Sequence, residues 1–371
     1  MSLFEQRLKR TMDAVAMKPV DKIPFSYSGP AYVAHRQKVK IADFLSDYAK
    51  AVDASVDFCK THPGIDSMHS HMMPASMLTL LWLAKVKLPG VELPDDELWQ
   101  LDEKENISFD DYEKILQMGY GAWLEDYLVN RMDNPMAKMG AFFEYYPESI
   151  RRMTVEAGVP IMNYGSTTGT AFEGLCGGRQ LMNFFEDLVD EPELLKKVLD
   201  NAHEYTYKSF CAQLDAMKPP AVWVGGWRVA PALLSHDTWM EFVWPYLKPL
   251  IMACVERNVL PVLHFDSCWE RELETLKELP EKKCLLMLDG TTDMRKARAV
   301  LDDRMCLMGD VPSRMMAFSK PEEVYEYVTK LIDDVGPKTG LIVSTGCDCP
   351  LNAKDENVDA IIQATVDYHI G

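Results

Sequence analysis

LPVLHFDSC, residues Leu260–Cys268, is the stretch whose reading decides the fold. Leu260, Pro261, Val262 and Leu263 make a short apolar run that passes directly into His264 and Asp266. A continuous apolar run, rather than strict alternation, suits a parallel strand covered on both faces. A buried strand that ends in an imidazole and a carboxylate is where a barrel enzyme places its chemistry. A second ending of this kind comes late, in GLIVSTGCDC at Gly340–Cys349.

Working outward, similar runs recur. Strands are expected at Ile23–Ser28, Ile65–His71, Val159–Gly165, Ala221–Gly226, Leu260–Asp266, Cys284–Gly290, Met305–Val311 and Gly340–Cys347. Helical periodicity fills the spaces between them. Ser2–Met17 is expected to be a first helix, ended by Pro19, and Ile41–Asp57 a second. Leu181–Lys218 reads as a long helix in two pieces. His236–Asn258 follows Ser235 as N-cap and is bent by Pro245 and Pro249. Trp269–Glu278 and Met294–Leu301 are expected to be short helices. Pro321–Val335 carries Pro at its first position and Glu322 and Glu323 in its first turn. Asn357–His369 is expected to be the last helix. Residues 75–118 read as an insertion, with an apolar helix at Met77–Ala84, an acidic stretch from Pro94 to Glu105 and a helix from Ser108; residues 119–158 are helical and aromatic.

Eight strands alternating with helices predict an α/β protein, a (β/α)8 TIM barrel with an N-terminal helical extension and an insertion around 75–155. One barrel domain is expected to span residues 1–371. That exceeds the usual length of about 150 residues per domain, as such barrels commonly do. The alternative, a doubly wound sheet, is weakened because no G-x-G-x-x-G follows an early strand.

Composition narrows the function. A net charge of −18 argues against a nucleic-acid partner, which demands basic surface. No apolar window approaches the length of a membrane span, and the amphipathic N-terminus lacks a secretory h-region. Nine scattered cysteines, an odd number without small-domain spacing, suit reduced thiols. A cytoplasmic protein, off the membrane, is the expectation. The 23 methionines read mainly as adaptable core filler.

The strand ends supply the candidate chemistry: His69 and His71, Tyr164, Gly225–Trp227, His264 and Asp266, Asp289, Asp310, and Cys347 with Cys349. His264 and Asp266, two apart, share one face of a strand. With Cys347 from the last strand they make an imidazole, carboxylate and thiolate set that suits zinc with one open position. The plainer reading is a buried histidine bonded to a carboxylate, with an inert core cysteine. His69 and His71 form either a metal pair or a hydrogen-bonded one. Tyr164, Trp227 and Asp310 are candidate substrate-binding residues; Trp227 can stack on an aromatic ring or a quaternary ammonium. Asp310, after Gly309, reads equally as a loop-initiating residue. Gly174–Arg179 lacks the Lys-Ser/Thr of a phosphate loop and reads as a turn.

These motifs carry a resemblance. Leu234–Ser235, then W-x-x-F-x-x-P at Trp239, Phe242 and Pro245, Lys248, and a strand ending in H-x-D resemble the uroporphyrinogen decarboxylase superfamily. So do MGDVPSRMMAFSKPEEVYEYVTKLIDDVG and LIVSTGCDCPLNAKDENVDAII near the end, and KPVDKIPF near the start. The likeness covers most of the chain from about residue 155. It implies a (β/α)8 barrel that either decarboxylates a tetrapyrrole or transfers a methyl group with a corrinoid protein. The decarboxylases' R-Q-A-G-R signature is absent from Ser28–Arg36, which reads SGPAYVAHR. The methyltransferases hold zinc through H-x-C and a late Cys. Carried over, the positions are His264, residue 266 and Cys347, with Asp266 standing where the family has Cys.

The implied function is a corrinoid-dependent methyltransferase. It would move a methyl group between a small substrate (methoxyarene, methylamine, thiol or pterin) and the cobalt of a partner corrinoid-binding protein. Zinc would be held by His264, Asp266 and Cys347. Two alternatives stay open: a metal-free lyase resembling the decarboxylase and using Asp and Tyr164, and a non-catalytic binding barrel.

Overall fold

In the computed structural model, which describes residues 1–163, 167–337 and 339–370, eight parallel strands form one curled sheet. They are β1 (Phe25–Tyr27), β2 (Ser67–Met68), β3 (Thr167–Thr168), β4 (Ala221–Gly226), β5 (Leu260–Phe265), β6 (Leu285–Leu288), β7 (Cys306–Val311) and β8 (Leu341–Thr345). Their spatial order is β2-β1-β8-β7-β6-β5-β4-β3. That is the cyclic order of a (β/α)8 barrel. Closure comes just before β3, where Ile161 bridges Met68 in parallel and Met162 N–H donates to Met68 O. Every residue of β5, β6, β7 and β8 is buried. Their unbroken apolar runs follow from that: helices cover the outside and side chains fill the inside.

The N-terminal helix runs from Leu3 to Val15, opened by a capping box between Ser2 and Glu5. It closes the barrel's lower end through buried polar links. Arg7 donates to the carbonyls of Pro63, Ala157 and Gly158. Arg10 and Lys22 both reach the buried Asp66, which also accepts the N–H of Phe25 at the start of β1.

Several expected boundaries move. The second strand shrinks to Ser67–Met68. The third is represented by the Ile161 bridge and Thr167–Thr168. The expected helix 41–57 is two helices, Ile41–Ser46 and Tyr48–Thr61, because Asp47 ends the first and caps the second. His236–Phe242 and Trp244–Glu256 divide at Val243, just before Pro245. Residues 269–278 form two 3-10 turns rather than a helix. Within the acidic stretch, Gln100–Asp102 pairs antiparallel with Lys85–Lys87. Among the described residues no helix is long and apolar enough to cross a membrane.

One reading is reversed. Gly174–Arg179 is not a turn but the body of a helix, Ala171–Arg179, capped by Thr170. Its glycines serve contact rather than turning. A methyl group at Gly177 would meet the carbonyl of Trp82 at 2.1 Å, and one at Gly178 would meet the carbonyl of Leu83 at 2.8 Å. The helix Ser76–Trp82 of the insertion is thereby seated directly on the barrel's outer helix, beside the barrel mouth.

Candidate active site

The end of β5 presents His264 toward Asp266 and Cys347. Nε2 of His264 lies 3.4 Å from Oδ1 of Asp266 and 3.6 Å from Sγ of Cys347. The three donor atoms all lie within 4.8 Å of one another. Cys347 follows β8, whose end is tied to the end of β1. Ser28 O accepts from Cys349 N–H and from the Thr345 hydroxyl, and Ser28 Oγ donates to Asp348 at 2.6 Å.

Second contacts orient the imidazole. Nδ1 lies 3.0 Å from Sδ of Met287, the residue beside it in register on β6. A proton on Nδ1 directed to that thioether would leave the lone pair of Nε2 free to hold a cation between Asp266 and Cys347. Trp223 stacks on the ring with centres 5.4 Å apart. Burial works against a charged His264, yet Asp266 and Cys347 outweigh it and hold its pKa well above the ordinary value. Burial raises Asp266, but the imidazolium pulls its carboxyl below the usual range. Burial raises the Cys347 thiol, against the pull of His264.

The donor set fits a tetrahedral cation. Zinc bonds of about 2.0 Å to N and O and about 2.3 Å to S separate ligand atoms by roughly 3.3–3.6 Å. Both distances from Nε2 match such edges. One imidazole, one carboxylate and one thiolate leave the fourth position for a substrate atom.

Above the trio lies an open recess of about 520 Å³, lined by Trp82, Trp227, Asp266, Ser267, Asp289 and Thr291. Trp227 is exposed, stands edge-on to Trp82 at 6.3 Å and carries the Arg228 guanidinium over its ring at 4.4 Å. A buried carboxylate organises this wall. Oε2 of Glu173 accepts the N–H groups of Trp227, Arg228 and Val229, and Oε1 accepts the Trp82 indole N–H. Asp289 likewise accepts from the N–H groups of Ser267 and Thr291. Glu173, Trp82 and Met287 escape the sequence reading, because the first two lie in helices and the third in an apolar strand.

The remaining candidates are placed differently. Tyr164 lies outside the described residues. Asp310 is not gathered with the trio: the Tyr327 hydroxyl donates to it at 2.8 Å from the surrounding helix Pro321–Val335. His69 and His71 do not form a metal pair, since the chain leaves the strand after Met68. His71 Nε2 meets Ser149 Oγ at 2.8 Å, whereas His69 lies beside His264.

Asp310 yields a pH prediction. Burial, opposed by the Tyr327 hydroxyl and Arg295, raises its pKa to about 6 from 3.8. A raised folded-state pKa adds stability below the unfolded value, and this is lost as pH rises through 6. At about 1.4 kcal/mol per unit, Asp310→Asn is expected to gain roughly 2–3 kcal/mol relative to the parent between pH 4 and pH 7. Urea unfolding of both proteins across that range measures it; a constant difference would contradict the assignment.

The profile of the uroporphyrinogen decarboxylase (URO-D) family matches residues 6–368. The chain belongs to the uroporphyrinogen decarboxylase family. Uroporphyrinogen decarboxylase of Alkalilimnicola ehrlichii is 24% identical over 237 residues, 61% of this chain and 63% of that protein. That of Chlorobium luteolum is 26% identical over 223 residues, 57% of this chain and 60% of that protein. The chain thus matches a little under two thirds of the length of these curated relatives. A methyltransferase from Methanosarcina mazei has the same fold, with a TM-score of 0.72 at 16% identity over 98% of both chains. In this member of the uroporphyrinogen decarboxylase family, Arg36 is tied to Asp355 at 2.6 Å and Asp359 at 3.3 Å.

Proposed function

We propose that this protein is a zinc-assisted methyltransferase that works with a separate corrinoid protein. The observation that carries the reading is the convergence of His264, Asp266 and Cys347 at the ends of β5 and β8, with spacing suited to zinc. The full-length fold shared with the Methanosarcina methyltransferase supports it. Zinc, when bound, supplies Lewis acidity to the substrate heteroatom that gives or receives the methyl group.

The chain's own residues do the rest. Met287 and Trp223 fix the His264 ring. Trp82 and Trp227, held by Glu173, offer an aromatic corner to the substrate. The recess above them gives cobalt a line of approach. Asp266 in place of a second thiolate makes the ligand set harder and suits an ether oxygen or amine as well as a thiol. The recess carries Asp266 and Asp289, which suits a polycarboxylate such as uroporphyrinogen poorly.

The test is direct. Purified protein is analysed for metal and incubated with methylcobalamin or cob(I)alamin and a panel of methoxyarenes, methylamines, thiols and pterins. Cobalamin absorbance reports gain or loss of the methyl group. About one zinc per chain with turnover on one class is expected. Release of CO₂ from uroporphyrinogen, without zinc, would overturn the reading in favour of a lyase.

A further inference from the structure

We propose that His69 is a substrate-contacting residue that hydrogen-bonds the heteroatom giving or receiving the methyl group; this rests on the metal-assisted reading above. His69 stands at the end of β2 and is 7% exposed. Its backbone is fully engaged: its N–H donates to Tyr27 O, and its carbonyl accepts from Asn163 N–H. Its ring Nδ1 is not engaged: it is sealed from solvent and has no hydrogen-bond partner. A buried polar atom without a partner is uncommon and calls for a reason, such as a ligand, a catalytic role or strain.

Its surroundings select a ligand. The His69 ring lies beside that of His264, with centres 6.0 Å apart and planes inclined at 36°. His264 has both nitrogens occupied, Nδ1 by Met287 and Nε2 by Asp266 and Cys347. His71, equally buried, is paired with Ser149. Of these three histidines, the unpaired one is the neighbour of the metal-ligand trio.

The adjoining wall is also unsatisfied. Ser67, two residues before His69, lies within β2, which ends at Met68. Ser67 lies beside Ser26 in register, and Ser26 beside Ser344. All three hydroxyls are buried without a partner. On the opposite side Trp223 and Met287 pack on His264. The unpaired polar groups thus gather on the β2-β1-β8 side of the barrel, and His69 is the one whose ring lies beside His264.

The test uses cobalt(II)-loaded protein with 2-mercaptoethanol as the probe. Thiolate binding is followed through its sulfur-to-cobalt absorption in the parent, His69→Leu and His69→Gln. The expected result is unchanged cobalt content and visible spectrum, with the probe's Kd raised about ten-fold in His69→Leu, the scale of a hydrogen bond to a charged group. His69→Gln, which keeps a donor and an acceptor, recovers part of the loss. Equal Kd values in parent and His69→Leu would overturn the proposal alone. Loss of cobalt from His69→Leu would make His69 a ligand and overturn it as well. A parent that takes up no cobalt would overturn the metal reading and the proposal together. If circular dichroism shows His69→Leu to be unfolded, His69→Asn and His69→Phe carry the same comparison.

Discussion

His264→Ala and Cys347→Ala should each release the metal and lower methyl transfer more than a hundred-fold while leaving the barrel folded. Loss of a residue that only orients a metal ligand already costs about 10- to 100-fold in affinity or activity, so loss of a ligand itself should exceed that. The remaining pair, whether Asp266 with Cys347 or His264 with Asp266, leaves two donors and two open positions. Asp266→Cys is expected to act in the opposite sense and keep the metal, because it replaces one anionic donor by a softer one. Metal analysis, circular dichroism and cobalamin absorbance on the same preparations measure all three effects. Full metal content in Cys347→Ala would remove β8 from the site. Activity of the parent without zinc would remove the Lewis acid while leaving the fold and family untouched.

The sequence made the barrel readable where strands are buried on both faces. β4 to β8 appear as apolar runs, and the structure finds them within a residue or two of where those runs lie. β2 was harder to read because its sequence, IDSMHSH, is polar. Its paired residues are only Ser67 and Met68, and its histidines serve contacts beyond the strand. The approach of His264, Asp266 and Cys347 was offered by the strand ends, since barrel topology brings them to one rim, and the family resemblance set it above the plainer reading of a core histidine. Trp82 and Glu173 were not. Their meeting depends on Gly177 and Gly178 letting two helices touch, and a Gly-Gly pair on paper suggests a turn. The bond to Asp310 was hidden for another reason: its partner, Tyr327, lies 17 residues on in a helix whose facing no strand pattern encodes.

Gly225→Ala should disable the site without touching a ligand. Gly225 lies beside His264 in register on β4, and an added methyl group would fall 1.7–2.6 Å from the six-membered ring of Trp223. An indole cannot yield as a flexible chain end does, so the ring has to move. Trp223 is the residue stacked on His264, on the strand next to β5, so its displacement is passed to the imidazole. Overpacking of this kind costs roughly 1–3 kcal/mol in stability. The larger effect is on function: a ligand that loses its orienting neighbour is expected to bind metal about 10- to 100-fold more weakly. Trp223→Phe in the Gly225→Ala background gives the methyl group room and restores a flat ring, and should recover much of the affinity. Competitive zinc titration and thermal unfolding of the single and double variants decide the matter. Parental zinc affinity in Gly225→Ala would show that the stacked tryptophan merely fills the barrel.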